Sequence, residues 1–159
     1  MVSVIIPTYK RAEFIKRAVL SVFKQTYKDI EVIVVDDNGV GTDAQINTYK
    51  EIEPLKDTYN VRYIPHEKNK GACGARNTGI FAASGEYVGF LDDDDEWLPD
   101  FLKKMIAKMD DDSTGVVYSN YYARINGKTY FLPKESAKRV GNVYKDLLNG
   151  WCVPSTSFF

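Results

Sequence analysis

Four consecutive carboxylates, Asp92 to Asp95, directly follow the apolar run Gly89-Phe90-Leu91. At about 4 Å two like charges repel by about 1 kcal/mol in water and several-fold more near protein, so such a cluster invites a cation. Oxygen ligands on a short turn, with no His or Cys beside them, suit a hard Mg2+ or Mn2+ that takes its remaining ligands from phosphate oxygens. Alternate residues of an extended segment point the same way, which pairs Asp92 with Asp94. Asp95 and Glu96 are read instead as the acidic start of a helix with Pro99 at its first position.

Other residues offer complementary chemistry. Asp36-Asp37-Asn38-Gly39 is ordinary turn sequence, but a carboxylate at the end of a strand can also accept hydrogen bonds from ribose hydroxyls or a pyrimidine imide, which singles out Asp37. Tyr9 offers a flat face for a base. Arg76 sits among the small residues Gly71-Ala72-Cys73-Gly74-Ala75, where a helix start can approach a ligand closely and a guanidinium can neutralise a diphosphate. The single histidine, His66, is read as a loop residue and not as a base. Gly39-Val40-Gly41-Thr42-Asp43-Ala44 matches the G-x-G-x-x-A fingerprint of dinucleotide binding, the mark of a nicotinamide-dependent dehydrogenase. That fingerprint belongs after the first strand of its unit, and here two aspartates precede the loop where a pyrophosphate would sit. A Walker loop is absent, and one histidine supports no Ser-His-Asp set.

The elements that must position these residues are legible as hydrophobic periods. Val4-Ile5-Ile6 is a short strand stopped by Pro7, and Ile15, Ala18, Val19, Val22 and Phe23 follow at helical spacing. The rhythm repeats with Ile30 to Val35 and a segment through Ile46 and Tyr49, then with Val61 to Ile64 and Ala75 to Ala83. Tyr87 to Leu91 makes a fourth strand, and Phe101 to Met109 supplies the next helix. Nearly continuous β-branched strands alternating with helices predict an α/β fold, a Rossmann-like, doubly wound and mostly parallel sheet. Its ligands bind outside the carboxyl ends of the strands, where Tyr9, Asp37, His66 and the aspartates all fall. Beyond Asp112 the rhythm changes: Val116 to Ile125 and Thr129 to Leu132 flank Asn126-Gly127, a favourable hairpin turn. A short helix near Tyr144 to Leu148 and an apolar tail from Trp151 to Phe159 complete a single domain over 1–159.

Composition narrows the function. With 21 basic and 22 acidic residues the net charge is −1, so no global field draws the chain to nucleic acid or an anionic membrane, and an anionic ligand must be held locally. The two cysteines, Cys73 and Cys152, form no CxxC pair, which argues against zinc and for a reduced, cytoplasmic setting. No basic leader precedes Val2, and no apolar run approaches the roughly 20 residues that span a bilayer. Peripheral membrane association would have to come through segments outside this chain.

In family order, Ser3-Val4-Ile5-Ile6-Pro7-Thr8-Tyr9, Val34-Val35-Asp36-Asp37-Asn38, Asn69-Lys70-Gly71, Ala75-Arg76-Asn77-Thr78-Gly79-Ile80 and Phe90 to Pro99 resemble the family 2 glycosyltransferases of GT-A fold. The resemblance implies that Pro7 and Tyr9 line a nucleobase pocket, that Asp37 contacts the base, and that Asn69 and Arg76 flank the nucleotide. It implies further that Asp92 touches ribose and Asp94 holds the metal, with Asp93 in the variable middle of a D-x-D.

The implied reaction is inverting transfer of a sugar from a nucleoside-diphosphate donor, a UDP-sugar in the first instance, to an acceptor hydroxyl of a glycan, lipid-linked or protein substrate, as in polysaccharide biosynthesis. Mn2+ or Mg2+ would stabilise the departing diphosphate. In the family the general base follows the strand that Val153 to Phe159 resembles, so it is expected beyond Phe159, as is the acceptor-binding part. Glu135 and Asp146, the acids after Asp112, precede that position. The chain is thus expected to bind donor but to transfer sugar negligibly. The rival reading is a nucleotide-sugar-binding module without catalysis.

Overall fold

The computed structural model describes residues 1–109, 114–132, 141–142, 145 and the backbone of 157–158. In chain order the elements are β1 (Val2–Thr8), α1 (Ala12–Phe23), β2 (Ile30–Asp36), α2 (Asp43–Lys56), β3 (Val61–Pro65), α3 (Gly71–Ala82), β4 (Tyr87–Phe90), α4 (Phe101–Ile106), β5 (Val117–Tyr118), β6 (Tyr121–Ile125), β7 (Lys128–Leu132) and β8 (Ser157–Phe158). One sheet runs in the order β3-β2-β1-β4-β8-β5, with the first four strands parallel and β8 antiparallel to its neighbours.

The sheet is covered on both faces, and its central strands β1 and β2 are buried along nearly their whole length, chiefly through Val and Ile side chains. Val2, Val4 and Ile6 of β1, with Val32 and Val34 of β2, pack with Ile15, Ala18, Val19 and Val22 of α1, Ile52 of α2 and Leu102 of α4. The intervening Ile5, Ile33 and Val35 face the other way and meet Ala75 of α3. Each fully buried Val, Ile or Leu side chain among them contributes about 1.5–3 kcal/mol. Gly79 lets α3 settle onto β1, since a Cβ there would lie 2.4 Å from Ile5 Cγ2.

Three expectations need correction. Pro7 does not stop β1, which continues to Thr8 and pairs Pro7 with Val35. The alternation explains why: Ile5 faces β4, accepting from the Leu91 amide, and Pro7 faces the same flank two residues on, beyond the end of β4 at Phe90. A ring nitrogen without a proton therefore interrupts no ladder. The strand expected over Val116 to Ile125 is two, β5 in the main sheet and β6 in a separate hairpin with β7. That hairpin turns at Asn126 (φ 51°) and Gly127 (φ 76°), the doubly positive geometry for which Asn-Gly is suited. Finally, α4 ends at Ile106 and not at Met109. Of the helix expected over 144–148 and the tail expected from 151 onward, only 145 and 157–158 fall within the described residues; Glu135, Asp146 and Cys152 lie outside them. No helix among the described residues is long and apolar enough to cross a membrane.

Candidate functional site

At the carboxyl ends of the parallel strands lies a cleft of about 410 Å³, lined by Pro7 and Thr8 at the end of β1, Tyr9 and Arg11 just after it, Asp37 after β2, Asn69, Gly71, Ala72, Ala75 and Arg76 from the β3–α3 connection and α3, and Asp92 and Asp93 after β4. Pro7, Tyr9, Asp37, Asn69, Arg76, Asp92 and Asp93, the residues expected to surround a nucleotide, are all brought to it. Asp94, the expected metal ligand, stands beside the cleft wall with its carboxylate on Arg11. The Gly39 to Ala44 loop that imitates a dinucleotide fingerprint takes no part in the lining and instead runs into α2, which Thr42 caps by accepting from the Gln45 amide.

The acidic segment is a turn and not an extended strand, closed by the Asp95 amide donating to the Asp92 carbonyl at 3.1 Å. The alternation that would pair Asp92 with Asp94 is therefore lost. Asp92 Oδ1 accepts from Arg76 Nη2 at 2.7 Å, whereas Arg11 Nη1 donates to both Asp93 Oδ1 (3.2 Å) and Asp94 Oδ2 (2.8 Å). Burial raises the Asp93 and Asp95 carboxyls above the usual carboxylate range, with Thr8 and Arg11 opposing the shift at Asp93. The charges of Asp94 and Asp93 in turn raise the Arg11 guanidinium.

Helix α1 fixes this turn in place. Arg17 donates to the Asp94 carbonyl at 2.9 Å and pairs with Glu96 at 3.0 Å. Ser21 Oγ accepts from the Trp97 amide, and Trp97 stacks on Phe101. The fully buried Gln25 amide donates to the Leu98 carbonyl at 2.8 Å and accepts from the Leu102 amide at 2.9 Å.

Asp37 is the other anchor. It is buried, and its carboxylate accepts from the Lys70 amide (2.8 Å) and the Gly71 amide (2.8 Å), with His66 Nδ1 2.7 Å from Oδ1. The amide of Asn69 donates to the Asp37 carbonyl at 3.1 Å. The N-cap of α3, Lys70, has no side-chain cap of its own, so the Asp37 carboxylate caps the helix from the end of β2. His66 follows β3 as expected for a connecting residue, but it is buried.

Sequence reasoning missed Arg11 and Arg17. Both lie in or just before the first turns of α1, where an arginine has no periodic signal to set it apart from solvent-facing charge. Their partners lie 82, 83 and 77 residues away. The one available signal was the excess of adjacent carboxylates in Asp92 to Glu96, which demands cations from somewhere.

With the cleft at the strand ends and the acid turn beside it, comparison with known proteins decides the family. The model of "Glycosyl transferase family 2" matches residues 3–158. The chain belongs to glycosyl transferase family 2. It is 36% identical over 121 residues to the UDP-Glc:alpha-D-GlcNAc-diphosphoundecaprenol beta-1,3-glucosyltransferase WfgD of Escherichia coli, covering 76% of this chain and 46% of that protein. It is equally 36% identical over 121 residues to the putative teichuronic acid biosynthesis glycosyltransferase TuaG of Bacillus subtilis, covering 76% of this chain and 46% of the relative.

Among solved structures, S. aureus TarS 1-349 in complex with UDP-GlcNAc superposes with a TM-score of 0.77 at 27% identity, over 99% of this chain and 44% of that one. The mannosyltransferase PcManGT from Pyrobaculum calidifontis, in complex with GDP-Man and Mn2+, matches with a TM-score of 0.64 at 29% identity, over 74% of this chain and 34% of that one. The fold is thus the GT-A fold of family 2, and the chain spans less than half the length of these relatives.

Proposed function

We propose that the cleft binds a nucleoside-diphosphate sugar, a UDP-sugar in the first instance, and that the whole protein transfers its sugar with inversion to an acceptor hydroxyl in polysaccharide biosynthesis. The observation that carries this reading is the convergence on one cleft of an aromatic face, an amide, two guanidinium groups and carboxylates: Tyr9, Asn69, Arg11, Arg76, Asp37, Asp92 and Asp93. Tyr9, partly exposed, offers its ring to a base. Asp37 accepts from base or ribose donors. Arg76 and Arg11 bring positive charge to a diphosphate and exchange part of their present pairing with Asp92, Asp93 and Asp94 for phosphate oxygens. The GDP-Man and UDP-GlcNAc complexes of the structural neighbours support a donor of this class.

Among the described residues no group of three or more His, Cys, Asp and Glu side chains forms a preassembled metal cage. A hard cation of the Mg2+ or Mn2+ kind needs only one or two carboxylates when phosphates complete its shell. The exposed fractions of Asp92 (31%) and Asp94 (45%) leave oxygens available for that purpose, so the donor set fits a cation that arrives with the diphosphate. Asp94 would hold it, beside Asp92. There it would neutralise charge developing on the leaving group. The Mn2+ complex of the mannosyltransferase supports this cation.

The test is a calorimetric titration of the chain with UDP, GDP and TDP, with and without Mn2+. Tighter binding of one nucleotide in the presence of metal, and loss of that gain in Asp94→Ala, is the expected result. An Asp94→Ala chain that responds to Mn2+ like the parent overturns the metal assignment, and absence of nucleotide binding overturns the donor site.

A further inference from the structure

We infer that His66 is a positioning residue of the donor site: its imidazole, held as the Nδ1–H tautomer, sets the Asp37 carboxylate and, through it, the start of α3. The inference rests on the donor-site reading above. His66 is 3% exposed and does not line the cleft, so it acts through its neighbours. Both ring nitrogens are engaged, Nδ1 at 2.7 Å from Asp37 Oδ1 and Nε2 at 2.8 Å from Thr78 Oγ1.

The partners decide the tautomer. Asp37 already accepts from two backbone amides, those of Lys70 and Gly71, and an ionised carboxylate has no proton to give. Nδ1 must therefore carry the proton that lies between the ring and Oδ1. In the neutral ring Nε2 is then an acceptor, and the Thr78 hydroxyl, free to rotate, donates to it. The backbone of His66 adds to the same junction: its amide donates to the Asp36 carbonyl at 2.8 Å and its carbonyl accepts from the Val40 amide at 3.1 Å.

The consequence reaches the cleft in two ways. A carboxylate offers about four acceptor positions, and the three donors on Asp37 leave one, on Oδ2, for a ligand N–H or O–H. With His66 and the Lys70 amide on Oδ1 and the Gly71 amide on Oδ2, the carboxylate cannot rotate without breaking all three bonds. The same carboxylate holds the Gly71 amide at a backbone φ of 76°, so the α3 start, and with it the cleft-lining Ala72, Ala75 and Arg76, is fixed from β3 through one imidazole.

Because the chain has one histidine, 15N-edited NMR of the ring shows a single spin system. The expected pattern is a protonated Nδ1 and an unprotonated Nε2, and the Nε2–H pattern overturns the inference. Asn places its amide nitrogen near the Nδ1 position, whereas Gln places it near Nε2. His66→Asn is therefore expected to retain UDP affinity and slow hydrogen exchange at the Lys70 and Gly71 amides, while His66→Gln loses affinity by about tenfold and exchanges those amides faster. Equal behaviour of the two variants in both measurements overturns the positioning role. If the His66→Gln chain fails to fold, the ring tautomer of the parent still decides. If the parent binds no UDP, the donor-site reading fails, while the tautomer and amide exchange still report on His66.

Discussion

Arg11 Nη1 donates to Asp94 Oδ2 at 2.8 Å across 83 residues of sequence. A guanidinium thus sits on the carboxylate that the metal reading needs, and a cation must share Asp94 with it. Replacing Arg11 by Ala removes one positive charge from beside two carboxylates and is expected to raise the affinity of the nucleotide-free chain for Mn2+ several-fold, with the gain shrinking in high salt. Electron paramagnetic resonance of free Mn2+ measures it directly. An unchanged affinity would show that Arg11 and the cation do not compete.

Gln25 ties the acid turn to α1. Gln25→Leu keeps the volume but leaves the Leu98 carbonyl and the Leu102 amide without their side-chain partner, at a cost of about 1–3 kcal/mol for each group left unpaired. Urea unfolding is expected to show the loss, and exchange at the Leu102 amide should accelerate beyond what global unfolding accounts for.

Asp37→Ala tests two roles at once. Loss of a charged hydrogen bond to the nucleotide would weaken binding by about 1.5–3 kcal/mol. Because Asp37 also caps α3 through the Lys70 and Gly71 amides, the variant is expected to unfold at lower urea as well. Weakened binding with unchanged stability would remove the capping role, and the reverse would remove the nucleotide contact.

A buried carboxylate at the opposite ends of the strands gives a pH prediction. Burial pushes Glu31 up, but hydrogen bonds from the Ser3 hydroxyl (2.6 Å), the Ser84 amide (2.7 Å) and Arg62 outweigh it and hold the group below its ordinary value of 4.5. A depressed folded value means stability that is present above the unfolded value and is lost as pH falls through the folded one. Glu31→Gln is therefore expected to be less stable than the parent at neutral pH, with the difference in urea midpoint closing as pH drops below about 4.5. A difference independent of pH would assign the effect to packing alone.

Gly79→Ala probes the contact of α3 with β1. The added methyl would meet Ile5 Cγ2 at 2.4 Å and Cγ1 at 3.0 Å, both fully buried, so α3 must shift. Overpacking of this kind costs about 1–3 kcal/mol, read as a lowered thermal midpoint, and the displaced Arg76 should weaken nucleotide binding in parallel.

The strand ends were legible because β-branched runs in a parallel sheet leave little freedom: once Val4 to Ile6, Ile30 to Val35, Val61 to Ile64 and Tyr87 to Leu91 are strands, whatever follows them lies on one edge. Tyr9, Asp37, Asn69, Arg76 and Asp92 reach one cleft for that reason. What stayed hidden depends on partners distant in sequence. Arg11 and Gln25 give no local sign of reaching the acid turn, and the turn hydrogen bond from Asp95 to Asp92, which cancels the expected alternation, has no composition of its own. His66 illustrates the same limit: a lone histidine after a strand reads as a connection, and only the meeting of β2, β3 and α3 reveals the carboxylate and the hydroxyl on its two nitrogens. Pro7 was misread because its missing proton matters only where a neighbouring strand is present to ask for it.

Side chains of Arg17, Ser21, Gln25 and Thr26, from α1 and its C-terminal end, and of Arg11 at its start, all grip the segment between Asp93 and Leu102. Mechanically, the helix and the acid turn form one jaw of the cleft. The opposing jaw, α3, is joined to it by the ion pair Arg76–Asp92. Parting the two jaws would break that pair, whereas a shift of α1 would pull on Asp93, Asp94 and Glu96, which Arg11 and Arg17 hold. Sequence drift on the buried face of α1, remote from any ligand, is thereby transmitted to the geometry of the site.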